Sequence, residues 1–191
     1  KPPTVERGCD QDLKLKALVE RVKSIDQNHL HTYHWSPEYS AYDIQLLPWD
    51  NLDINATYSY YIPFSSKGIQ DRIRIDYNRN PIRPFFMFES HYEYDWYQNQ
   101  PPIVTRRQAY NSILSGAAGH HFGNHPIWHF SMKDGGGSGW KQSLNSEGRV
   151  GLKHIRALFE SRNWHQLIPD HSNTFVSNTQ KGTAQNYVGT A

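Results

Sequence analysis

Apolar residues recur at helical spacing in four places along the chain. Leu15, Leu18, Val19, Val22 and Ile25 lie three and four apart within DLKLKALVERVKSI (12–25), with Lys, Glu and Arg between them. That spacing predicts a helix with Asp12 as its N-cap. Ile69, Ile73 and Tyr77 predict a short helix over 69–77, and Ala109, Ile113 and Leu114 one over 104–115. Leu152, Ile155, Leu158 and Phe159 predict a last helix over 150–161.

Between these stretches the period changes. HLHTYHW (29–35) and LDINATYSYY (52–61) alternate and are rich in β-formers, so both read as strands. PFFMF (84–88) is a continuous apolar run that stops at Glu89, the pattern of a strand buried on both faces. Residues 5–10 read as the end of a further strand, and GAAGHHFGNHPIWHF (116–130) as a strand with its exit loop. SPEYSAYD (36–43), 78–84 and KDGGGSG (133–139) have loop or turn chemistry. The expected order alternates about five strands with helices, which argues for parallel βα units in an α/β fold. A complete (β/α)8 barrel takes about 250 residues, more than the 191 here.

In parallel α/β folds, functional groups collect beyond the carboxyl ends of the strands. That rule selects Asp10 from the first expected strand, then His34 and Trp35, then Tyr58 and Tyr60. It continues with Glu89, and ends with His121, Asn124, His125 and Trp128. Two carboxylates among aromatics are the minimum for cleaving a glycosidic bond, one protonated to serve the leaving oxygen and one ionised. Pattern alone leaves a second reading open for Glu89, a strand-end residue paired with Arg106 or Arg107. His34 is either a substrate hydrogen-bonder or a buried, satisfied histidine. Trp35 and Trp128 either stack on sugar faces or, for Trp128, pack in a core. Glu93 and Asp95 orient Tyr92 or an arginine.

Composition narrows the partners. The net charge is +2 with 20% charged residues, so no strong pull toward nucleic acid or an anionic membrane is expected. Aromatics reach 14%, with six Trp, twelve Tyr and eleven His, which suits a site that stacks on a polar ligand such as a sugar, or a Tyr-rich core. Cys9 is the single cysteine, so neither an internal disulfide nor a cysteine-rich metal site is expected. No apolar run approaches a membrane span, and the opening KPPTVERGCD holds no apolar signal core. His121, His125 and His129 would bind metal on a helix, but Gly123 and Pro126 interrupt them, and no metal or other cofactor is expected. KDGGGSG lacks the Lys-Ser/Thr pair of a phosphate loop. Asn55-Ala56-Thr57 fits a glycosylation sequon inside an expected strand, where chance explains it better.

RPFFMFESHYEYD, followed by TRRQAYNSILSGAAGHHFGNHPIW, resembles the apiosidase-like glycoside hydrolases, a family often labelled as endoglucanases or cellulases. DQNHLHTYH and LDINATYSY look like that family's fifth and sixth strands, and SRNWHQLIPD like its last helix and exit. The resemblance implies a (β/α)8 TIM barrel of which only strands four to eight are present. It places residues 1–171 in the C-terminal part of that barrel and 172–191 in a linker toward a further module, in the family commonly a β-sandwich once described as collagen-binding. A missing N-terminal half-barrel, from the same or another chain, is expected as partner.

The resemblance also implies a retaining cleavage of a plant- or algal-type polysaccharide. Glu89 is then the nucleophile at the end of strand seven, and Asp10 the acid/base, in GCD where the family has a GGD-type motif. It implies substrate contacts from His34, Trp35, Tyr58, Tyr60, Tyr92, Glu93, Asn124 and Trp128, with a secreted or periplasmic location. The competing expectations are a carbohydrate-binding or virion-surface protein that keeps the barrel without turnover, and a metal-dependent barrel hydrolase. The residues do not name the sugar.

Overall fold

A computed structural model describes residues 9–35, 37, 39–44, 49–60, 66–95, 101–132, 139–172 and 174. The helices are α1 (Cys9–Ile25), α2 (Ser66–Tyr77), α3 (Pro102–Leu114), α4 (His125–Trp128), α5 (Trp140–Ser143) and α6 (Glu147–Glu160). Three strands, β1 (Asn55–Tyr58), β2 (Phe85–Glu89) and β3 (Gly119–His120), form one parallel sheet in that order, with β2 in the centre.

The helix ends follow local chemistry. Pro102 opens α3, where its missing N–H costs nothing. Gly116, just past the α3 C-cap, has φ +107, and a Cβ there would meet Tyr77 Cδ2 at 2.4 Å, so this stop accepts glycine alone. The Ser146 hydroxyl caps α6 by accepting from Arg149 N–H at 3.4 Å.

Alternation along β2 divides the packing. Phe85 and Met87 are buried against Ile69 and Ile73 of α2 and against Ala117. Phe88 and Tyr33 each pack against the cluster of Ala41, Tyr42, Leu52 and Ala56. Residues 86, 88 and 89 are half-buried, so β2 is covered more on one face than the run PFFMF implies. A third cluster joins Ala109 of α3 to Ile155 and Phe159 of α6. Between Thr57 and Tyr58 the register slips by one, so that Tyr58 pairs with Glu89; a bulge of this kind re-aims side chains at a sheet's end.

An ion network replaces apolar packing between α2 and residues 40–43. Asp76 has a fully buried carboxylate that accepts from Thr57 Oγ1 at 2.7 Å and Ser40 Oγ at 2.9 Å. Arg79 reaches Asp76 at 3.2 Å and Asp43 at 2.6 Å, and Arg72 reaches Asp43 at 2.5 Å. Burial works against the Asp43 charge, but the Ser40 N–H and the two guanidiniums outweigh it and hold its carboxyl below the usual range. The same balance, burial against the carboxylates of Asp43 and Asp76, raises Arg79.

Several expectations are corrected here. Cys9 and Asp10 lie in the first turn of α1, not at a strand end, and the helix starts ahead of Asp12; residues 5–8 are outside the described ones. Residues 29–35 alternate but form no strand. Asp53 accepts from His31 N–H at 2.8 Å and from Lys23 Nζ at 2.5 Å, and the Tyr33 hydroxyl donates to Asn51 O at 2.9 Å. These bonds to a neighbouring loop stand where a ladder was expected. The stretch 116–130 yields only the two-residue β3 before Asn124 and Pro126 start α4. Three strands, not five, are therefore present among the described residues. The apolar stripe of α1 is also not buried: Leu18, Val22 and Ile25 are exposed. Loop 133–138 and residues 175–191 of the expected linker lie outside the described residues.

Candidate active site

The central strand delivers Glu89 to the carboxyl end of the sheet, and two donors meet it there. Tyr92, three residues on, donates its hydroxyl to Glu89 Oε1 at 2.7 Å. His34 Nε2 lies 2.8 Å from Glu89 Oε2. Both carboxylate oxygens thus face hydrogen-bonding groups, which fix the plane of the carboxylate. Burial, then the Glu89 hydrogen bond and charge, push the Tyr92 phenol far above its ordinary range, so it remains a donor. Arg106, one of the two arginines considered as a partner for a plain strand-end glutamate, is exposed on α3 and lies beside Gly151.

Aromatic rings hold these donors in place. His34 stacks on Tyr58 with centroids 4.7 Å apart and sits 5.5 Å from Phe88. Tyr60 lies edge-on to Tyr92 at 5.3 Å and donates its hydroxyl to Asp95 Oδ2 at 2.5 Å. Trp128, 58% exposed, stands edge-on to Tyr92 at 6.4 Å. A small cleft of about 150 Å³ opens between His34, Phe88, Glu89, Tyr92, His121 and Gly123. A second, apolar groove of about 840 Å³ runs between Phe86, Ala118, Leu152, Phe159 and Trp164, away from Glu89.

The structure brings Tyr92 and His34 to Glu89, with Tyr58 stacked on His34 and with Tyr60 and Trp128 edge-on to Tyr92. Trp35 follows His34 but is not part of the cleft lining. Asp10 lies in α1, and its side chain is outside the described ones.

Two expected substrate contacts are corrected. The Glu93 side chain is 0% exposed and accepts from Gly148 N–H at 2.8 Å and Asn124 Nδ2 at 3.0 Å. Asn124, also buried, spends its oxygen on the Ile127 N–H at 3.2 Å. Their polar atoms are consumed inside the fold, because a buried carboxylate must find donors wherever the chain supplies them.

His121, which the strand-end rule selects, lines the cleft with its ring 5.1 Å from Phe88. Its place in the register was the signal: His121 N–H bonds to Met87 O at 2.9 Å, at the end of β3. Among the described residues no group of three or more His, Cys, Asp or Glu could hold a metal ion. Asn55 of the sequon is buried and accepts from Tyr42 N–H at 3.1 Å.

The family model described as "Apiosidase-like, catalytic domain" matches residues 6–166. Among solved structures, a glycoside hydrolase family 5 protein from Bacteroides vulgatus ATCC 8482 superposes with a TM-score of 0.76 at 21% identity, covering 95% of this chain and 43% of that one. A second, described as "Glycoside hydrolase", gives 0.74 at 22% identity, covering 95% and 46%. No curated protein matches. The chain spans less than half the length of these two structures, and at such identities the likeness shows a shared α/β fold.

Proposed function

The chain belongs to the apiosidase-like catalytic domain family, and from that premise we propose that it forms the C-terminal part of a (β/α)8 glycoside hydrolase barrel. Its reaction is a retaining cleavage of glycosidic bonds in a plant- or algal-type polysaccharide. The observation that carries this reading is Glu89, an ionisable group at the carboxyl end of the central strand, held by Tyr92 and His34 in an open cleft.

In this reading Glu89 attacks the anomeric carbon, and Tyr92 and His34 keep its carboxylate oriented until the bond forms. Asp10 protonates the leaving oxygen, then takes a proton from the water that hydrolyses the glycosyl-enzyme. Retention requires the two carboxyls to stand about 5–5.5 Å apart. The role of Asp10 rests on the GCD resemblance. Trp128, with its exposed ring beside Tyr92, supplies a stacking face for a sugar, and Trp35, Tyr58 and Tyr60 extend the aromatic surface.

We also propose that an N-terminal half-barrel completes the site. Two observations support it: the exposed Leu18, Val22 and Ile25 on α1, and the apolar groove between β3 and α6. Surfaces of this kind are ordinarily covered. A sharp unfolding transition from a monomeric 191-residue protein would count against this completion.

The test of the function is Glu89→Gln, assayed by release of reducing sugar from plant and algal polysaccharides. Turnover is expected to fall by at least about a thousandfold, as for loss of a nucleophile. Unchanged turnover removes Glu89 from that role. A wild-type protein that binds oligosaccharide without releasing sugar is the non-catalytic, carbohydrate-binding alternative.

A further inference from the structure

We infer that Glu93 is a positioning residue that sets the place of Trp128 through Asn124, rather than a group that meets substrate. The kinetic part of this inference rests on the glycoside hydrolase reading; the positional part rests on geometry alone.

Burying a carboxylate costs several kcal/mol unless its oxygens are satisfied, and Glu93 is satisfied from two separate elements. Oε1 accepts from Gly148 N–H in the first turn of α6 at 2.8 Å, and Oε2 from Asn124 Nδ2 at 3.0 Å. A Cβ on Gly148 would meet Oε1 at 2.7 Å, so α6 approaches this carboxylate with bare backbone. The main chains are joined as well: Glu93 N–H donates to Gly123 O at 2.9 Å, and His125 N–H to Glu93 O at 3.0 Å. One buried side chain thus ties the segment after β2 to the segment after β3 and to α6.

Asn124 passes this fixation on. Its Nδ2 is held by Glu93, which turns Oδ1 toward the Ile127 N–H at 3.2 Å and makes Asn124 the N-cap of α4. A helix of one turn has no stability of its own, so the pose of α4 is dictated by its cap and by what holds the cap. Trp128 is the last residue of α4, and its ring stands 6.4 Å from that of Tyr92, the donor to Glu89. Tyr92 in turn packs across Gly123, where a Cβ would meet its ring at 2.0 Å. The path from Glu93 to the exposed aromatic face therefore runs through two hydrogen bonds and one turn of helix.

Two substitutions cut this path at one bond each. In Glu93→Gln, an amide that keeps its oxygen on Gly148 turns its NH₂ toward the NH₂ of Asn124. In Asn124→Ser, the hydroxyl still caps α4 but is too short to reach Glu93. The experiment labels the protein with 5-fluorotryptophan and assigns the Trp128 fluorine resonance with Trp128→Phe. Unfolding midpoints and KM and kcat on polysaccharide are measured for each variant.

Both variants are expected to move the Trp128 resonance, with the double variant adding no further shift. KM is expected to rise about tenfold with kcat little changed, the pattern of lost binding shared by ground and transition states. Lower unfolding midpoints with the Trp128 resonance and KM at wild-type values overturn the inference and leave Glu93 a purely structural group. Should Glu93→Gln fail to fold, Asn124→Ser alone decides. Should the wild-type protein release no sugar, the function reading falls while the fluorine resonance still decides the positional claim.

Discussion

The Tyr92 hydroxyl donates to Glu89 Oε1 at 2.7 Å, while His34 holds the opposite oxygen at 2.8 Å. The carboxylate is thus gripped from its own loop and from a segment more than fifty residues earlier. Removing one donor leaves the other. A hydrogen bond to a charged group is worth about 1.5–3 kcal/mol, so Tyr92→Phe is expected to lower kcat/KM by about 10- to 100-fold while the fold is kept. Steady-state kinetics beside circular dichroism check this; full activity in Tyr92→Phe would show that the phenol does not support Glu89.

The Asp76 carboxylate is the buried centre of the network that joins α2 to β1 and residues 40–43. Its removal strands Arg79 and Arg72 beside Asp43 and leaves the Thr57 and Ser40 hydroxyls without their acceptor. Breaking a buried pair from one side costs about 3–5 kcal/mol, so Asp76→Ala is expected to destabilise by that amount in urea unfolding. A loss under about 1 kcal/mol, the range of exposed pairs, would show that water screens the network.

Acid acts on two groups with the same sign. The Asp43 carboxyl is held below its unfolded value, so its contribution is complete above about pH 4 and is lost as the pH falls through the lower folded value. Burial, and then the neighbouring His121, lower His120 from its ordinary 6.5 to about 3. Its Nδ1 is withdrawn from solvent with no partner among the described residues, while Nε2 lies 3.1 Å from Ser90 Oγ. Below about pH 6.5 the unfolded chain therefore takes up a proton that the folded one refuses, and stability drops until about pH 3. His120→Asn is expected to flatten the dependence of the unfolding midpoint between those two values. An unaltered slope would place the proton uptake elsewhere.

Much of this was legible locally. The run Phe85–Phe88 ending in an acid marks the central strand and the residue at its end, because apolar continuity and an abrupt charge are both properties of neighbours in sequence. The Ile69–Ile73–Tyr77 and Leu152–Ile155–Phe159 spacings marked α2 and α6 for the same reason. Helix α4 was also readable, since Asn124 followed by His125-Pro126 is a cap with proline in the first turn, but the histidines and glycines around it drew attention toward a strand.

What stayed hidden depends on partners far away in sequence. Glu93 and Asn124 look like rim residues until Gly148, 55 positions away from Glu93, is seen to bury the carboxylate. The Asp43–Arg79 pair spans 36 positions and carries no periodic signature. Residues 29–35 alternate as a strand does, yet Asp53 and Asn51 hold them without a ladder. No local pattern announces which of two alternating stretches finds a pairing partner.

The most direct test of the central claim is chemical trapping of Glu89. A panel of activated 2-deoxy-2-fluoro pentosyl and hexosyl glycosides slows breakdown of a glycosyl-enzyme, and intact-protein mass followed by peptide mapping locates the adduct. One glycosyl unit is expected on the peptide that contains Glu89, with no adduct in Glu89→Gln. Continued turnover without an adduct, or an adduct mapped to a different carboxylate, would contradict the assignment of Glu89 as the nucleophile of a retaining glycosidase.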